Sequence, residues 1–251
     1  MKVKSVPLLV LMLIVSWTGL TAQTPDRAEI LDSLDRQSSY RDTDFSAEYT
    51  IVSEKPGQER SVFQVRSFRR DSSDSFVMVI LEPRVRRGEG YLQLGETAWS
   101  YDPESREFGV FSMKENFQDS EARNSDFSSL TVSESYEITD IQQARLGSFD
   151  VYLLDLKALN DRVTFPRIRF WVRQDNYLVL KEEMYSLSGR LMRTGLITSY
   201  ARVSGRFVPT KILYVDNLNQ GERTEITARN ISFQDIPDSV FTRSYLERIG
   251  R

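Results

Sequence analysis

Arg167-Ile168-Arg169-Phe170-Trp171-Val172-Arg173 alternates with a period of two. Ile168, Phe170 and Val172 fall on one side, and Arg167, Arg169 and Arg173 on the other. That pattern marks a strand with one buried and one solvated face, the habit of antiparallel sheets. Downstream, Asp175-Asn176 turns into a strand over 177–185, Ser188-Gly189 into 191–200 and Ser204-Gly205 into 207–215, with 223–233 last. Upstream lie 136–141 and 149–156.

The same period governs the first half. Phe45, Ala47, Tyr49 and Ile51 alternate with polar neighbours up to the turn Lys55-Pro56-Gly57-Gln58. Strands follow over 62–68 and 76–81, the latter apolar on both faces, then over 91–94, 97–101 and 108–113. Regular strands with short polar turns predict an antiparallel meander of about eleven strands. Helix is scarce. Thr24 as N-cap and Pro25 in the first turn open one with an apolar stripe of Ala28, Ile30, Leu31 and Leu34. Between 114 and 130 the alternation breaks into a polar segment carrying Phe117, Phe127 and Leu130, read as a loop with short helices.

A strongly curved sheet of about eleven strands encloses more space than its own side chains fill. Only the N-terminal helix and residues 114–130 are available as a plug, so an apolar cavity is expected on the concave side. Its candidate lining is Phe63, Phe76, Met78, Tyr91, Trp99, Phe111, Trp171 and Met184, each also a residue type that an ordinary core uses.

Composition narrows the chemistry. The 251 residues include no His and no Cys, with 33 Lys plus Arg against 36 Asp plus Glu. Imidazole triads, thiolate metal sites, disulfides and an acylated N-terminal Cys are all excluded. A net charge of −3 lacks the basic excess of a nucleic-acid binder, so no such partner is expected. No G-x-S-x-G, S-x-x-K or Walker A pattern occurs. Gly88-Glu89-Gly90 lacks the third glycine of a dinucleotide loop, which has Gln93 there. Glu182 and Glu183 are adjacent on a strand and so point to opposite faces, which prevents them from sharing an acid–base site. No catalytic residue, metal or cofactor is expected.

Lys2 and Lys4, an apolar run over 6–15 and the small residues of Leu20-Thr21-Ala22 form a cleavable secretory signal over 1–22. The apolar run is too short to span a bilayer. The remaining chain, 23–251, reads as one soluble domain without a membrane-spanning segment. Two arginine clusters stand out: Arg66, Arg69 and Arg70 at a strand end, and Arg84, Arg86 and Arg87 after Pro83. A solvated rim protecting sheet edges accounts for them; the sharper reading of the second cluster is a positive rim for a phosphate head group or an acidic docking partner.

The order of several short motifs resembles the LolA-like outer-membrane lipoprotein-sorting proteins. After the signal and helix come Leu81-Glu82-Pro83 and Gly90-Tyr91-Leu92, then Ala98-Trp99-Ser100-Tyr101-Asp102-Pro103, which is similar to the family's W-x-Y-x-P hairpin. Ser125-Asp126-Phe127 follows, and Ile236-Pro237-Asp238-Ser239-Val240-Phe241-Thr242 with Tyr245-Leu246 resembles the family's ending. The resemblance implies a half-open β-barrel capped by helices on its concave apolar face. It also implies a periplasmic carrier of acylated lipoproteins or lipids, docking to an inner-membrane ABC transporter and handover to an outer-membrane acceptor. The alternative is a module of the same fold that senses envelope lipids without transporting them.

Overall fold

The computed structural model describes residues 26–250. The signal read over 1–22, and the helix start read at Thr24 and Pro25, lie outside them. Helix α1 (Arg27–Ser38) begins at the N-cap Asp26, whose side chain accepts from the Ala28 N–H. Its Ile30 and Leu34 are buried.

Thirteen strands follow, all in one antiparallel sheet. They are β1 (Asp44–Glu54), β2 (Ser61–Arg70), β3 (Ser75–Glu82), β4 (Gly90–Leu94), β5 (Thr97–Asp102), β6 (Glu107–Val110), β7 (Tyr136–Leu146), β8 (Phe149–Ala158), β9 (Arg167–Arg173), β10 (Val179–Tyr185), β11 (Leu191–Val203), β12 (Arg206–Asp216) and β13 (Arg223–Ser232). The expected number of about eleven is too low: every segment read from alternation, the short β4, β5 and β6 included, pairs as a full member of the sheet. The spatial order is β6-β5-β4-β3-β2-β1-β13-β12-β11-β10-β9-β8-β7, and the two end strands do not pair, so the barrel stays open. Two meandering arms thus meet where the first strand pairs with the last, Ser46 opposite Ser232 and Ile51 opposite Ile226.

This topology decides where the irregular segment goes. The chain must pass from one edge of the sheet at β6 to the other at β7, and it does so through the hollow. Residues 114–130 pack inward with Phe117, Ala122 and Phe127 buried, followed by the short helix α2 (Val132–Ser135). Together with Ile30 and Leu34 they join the inward side chains of both arms in the main core.

Strand β3 is buried on both faces, as its sequence predicts, and the structure shows why. Phe76, Met78 and Ile80 face the main core. Val77 and Val79 face outward, where helix α3 (Arg243–Ile249) and the segment before it cover them with Ile236, Phe241 and Leu246. Gly90 lets Leu246 approach: a Cβ there would lie 2.5 Å from its Cδ2.

Candidate functional site

The plug fills the two arms unequally. Against β2 and β4 its Phe117 packs edge-on onto Phe63 at 5.6 Å and tilted onto Tyr91 at 5.6 Å. Toward the other arm a cavity of about 490 Å³ remains, which reaches Tyr49 on β1 and Arg69 on β2 at its border. Its floor carries Phe170, Glu182, Met184, Arg193, Ile212 and Tyr214, and its roof comes from residues 125–131, α1 and α2. The volume falls in the range of small-molecule sites. A second, more open groove of about 600 Å³ lies beyond β4–β6, bordered by Arg86, Glu89, Tyr91, Phe108 and Phe111.

The residues selected from sequence divide accordingly. Met184 lines the main cavity. Phe63, Phe76, Met78 and Tyr91 face the same interior but pack against the filled half. Phe111 stacks edge-on with Tyr91 at 5.2 Å and borders the second groove. Trp99 and Trp171 are on the outer face. Trp99 lies under the Arg243 guanidinium, 4.5 Å away, and Trp171 under the Lys181 ammonium, 4.2 Å away. The alternation around Phe170 and Val172 already put Trp171 on that side.

Both arginine clusters are mostly committed to intramolecular pairs. Arg69 is buried against Asp71 and donates to the Ser38 carbonyl, tying the end of α1 to β2. Arg70 holds Asp44 and Asp238, and its pairing keeps the Asp44 carboxyl below the usual carboxylate range. Arg86 pairs with Glu89 and Arg87 with Glu82. Arg84 is exposed, beside the fully solvated Val85, and has no ion pair among the described residues.

Sequence reasoning missed the polar heart of the cavity. Arg193, 3% exposed, forks onto Asp126 with bonds of 2.6 and 2.8 Å and also donates to the Glu121 carbonyl. Its guanidinium lies 4.0 Å from the Tyr214 ring centre. Burial works against the charge, but Asp126 outweighs it and the guanidinium is held charged. The pair therefore latches the plug to β11. Asp126 also accepts from the Arg123 N–H at 2.7 Å, which shapes the turn that presents it.

Beside this latch stands Glu182. It is half-buried, and the surface it keeps faces the cavity. Withdrawal from solvent raises its carboxyl to about 7, with nearby Arg193 offsetting only part of that effect. Glu183 points outward and pairs with Lys181 at 2.7 Å, as strand alternation requires. Elsewhere, Glu121, Asp216 and Glu222 bring carboxylate oxygens within 4.8 Å of one another. Lys55 pairs with Glu222 there, and burial together with the other two acids raises the Glu121 carboxyl.

No helix among the described residues is long and apolar enough to cross a membrane. A family model described as "Uncharacterized protein" matches residues 72–248. No curated protein matches the chain. Among solved structures, a LolA superfamily protein from Nitrosomonas europaea superposes with a TM-score of 0.78 at 23% identity, over 88% of this chain and 100% of that one. An outer membrane lipoprotein-sorting protein domain from Vibrio parahaemolyticus gives 0.75 at 20% identity, over 88% and 97%. A DUF1329 family protein from Desulfovibrio piger gives 0.75 at 19%, over 89% and 100%. The chain therefore belongs to the family whose model spans residues 72–248, and its fold, an open curved sheet with helices in its hollow, is that of the LolA superfamily.

Proposed function

We propose that this protein is a periplasmic carrier that takes the acyl chains of lipoproteins or lipids into the cavity beneath the plug and moves them toward the outer membrane. The observation that carries the reading is the hollow of about 490 Å³ left between the plug and the concave face, lined chiefly by β9–β13 and the plug itself. Sheets that fill themselves have no such hollow. The fold shared with a lipoprotein-sorting domain supports the same conclusion. Burying a hydrocarbon chain contributes about 0.8 kcal/mol per CH₂, on the order of 10 kcal/mol for a long chain before ordering costs. A carrier must later release that chain, which calls for a roof whose closure opposes binding. The Asp126–Arg193 latch is the contact that would have to yield.

A solvated or docking role for Arg84, Arg86 and Arg87 belongs to the same proposal, with Arg84 the residue most available to an inner-membrane transporter, an outer-membrane acceptor or a phosphate head group. No catalytic step is assigned. Native mass spectrometry of the protein purified from its own envelope tests the reading. An acylated adduct is expected, and Ile212→Trp, which places an indole in the cavity, is expected to abolish it with the fold retained. A wild-type protein that carries no adduct and takes up no fluorescent fatty-acid ester would sink the proposal. Cargo that is bound but never passed to an acceptor would indicate the lipid-sensing alternative instead.

A further inference from the structure

The strand register lays a row of side chains across the cavity floor: Phe170 on β9, Glu182 on β10, Gly195 on β11 and Tyr214 on β12. Glu182 is the acid of that row, and Gly195 makes room for it. A Cβ at Gly195 would lie 2.5 Å from a Glu182 carboxyl oxygen and 2.9 Å from the Tyr214 ring, so the missing side chain is the space those two groups occupy. The nearest cation, Arg193, is already committed in a two-pronged bond to Asp126. Glu182 makes no ion pair among the described residues. Tyr214 gives the carboxyl one hydrogen bond, and its remaining acceptor capacity faces a partly apolar hollow without a cation, which a ligand donor would complete.

We propose that Glu182, set beside Tyr214 across the gap at Gly195, is the polar anchor of the cavity and accepts a hydrogen bond from an N–H donor at the head of an acyl-chain ligand. The inference rests on the acyl-carrier reading and names the ligand chemistry of the same site. Two sources offer that donor: the ammonium of an aminophospholipid and the amide of an acylated polypeptide terminus. An acyl chain ending in a carboxylate is disfavoured by like charge.

The groups facing Glu182 are Arg193 and Tyr200 from β11, Tyr214 from β12, Asp126 from the plug and Tyr136 at the start of β7. Burial pushes all three tyrosines above their ordinary range, and Arg193 stays charged in its pair. Glu182, raised to about 7, changes charge between pH 5 and 8.

The test compares three probes of equal chain length: decylamine, N-decylacetamide and methyl decanoate, the last having no donor. Each displaces a fluorescent fatty-acid methyl ester, which carries neither charge nor donor, from the full mature chain. At pH 8 the donors are expected to bind about tenfold more tightly than methyl decanoate, the worth of one charge-assisted hydrogen bond. The preference should shrink at pH 5 and vanish in Glu182→Gln and Glu182→Met, each checked for native circular dichroism. Preference for decylamine alone identifies an aminophospholipid head group, and preference for both donors an amide terminus. Equal binding of all three probes by wild type, or a preference that survives both substitutions, overturns the anchor and leaves the carrier standing. If no probe binds and the fluorescent ester is not taken up either, the carrier reading falls with it.

Discussion

Glu182 and Glu183 show how much one strand position decides. The two are chemically identical neighbours, yet one is neutralised by Lys181 on the outer face and the other is withdrawn into the cavity. Raising a carboxyl to about 7 means that the folded state holds the proton more tightly than the unfolded chain does. Stability linked to Glu182 is therefore greatest below the ordinary glutamate range and declines as pH rises from there through about 7. Glu182→Gln removes that penalty. Urea unfolding should show the variant more stable by about 1–3 kcal/mol at pH 8 and equal to wild type near pH 4. Alternation in the sequence was enough to separate the two glutamates. It did not reveal that Glu182 meets Arg193, Asp126 and Tyr214, because those residues come from distant segments that only the folded register brings together. Trp99 and Trp171 fail as cavity residues for a simpler reason: selection by size overrode the face that alternation assigned them.

Among the elements, the plug departs most from its sequence-based reading. Residues 114–130 read as a polar loop with short helices, a candidate plug with no sign of what would hold it. Folded, Phe117 and Phe127 are among the most buried side chains, and Asp126 is clamped by Arg193. Nothing local in the segment announces this, since the partner arginine lies well downstream on β11. Removing one member of a buried pair leaves the other charge uncompensated, at a cost of about 3–5 kcal/mol. Arg193→Leu or Asp126→Asn should lower stability by that order and raise amide hydrogen exchange in 114–130 more than in β9 or β11. Exchange that rises equally everywhere would mean that the pair supports the whole core instead of holding the plug. The strands themselves were far more legible. Each segment picked out by alternation is a strand, because a sheet with one buried face writes its register directly into the sequence. The counterexample is β3, whose outer apolar residues make sense only once α3 is seen covering Val77 and Val79.

At the scale of the whole molecule, the order of strands was not readable from pattern alone. A meander predicts that neighbours in sequence pair, which holds within each arm, but it does not say what joins the arms. The answer is the pairing of β1 with β13. Each arm alone has an uncovered concave face, and the plug can be seated only when both are in place. The central contact of the sheet thus links residues near opposite ends of the chain, Glu54 opposite Arg223 and Ser46 opposite Ser232. Pairings so remote in sequence make folding slow. A chain truncated after residue 222 is expected to lose its cooperative thermal transition, while the intact chain should refold on the millisecond-to-second scale or slower in stopped-flow fluorescence. A truncated form that melts cooperatively would show that one arm folds alone. A polypeptide emerging from a ribosome cannot close this keystone until β13 has been made, so nothing translated earlier can enclose the hollow by itself.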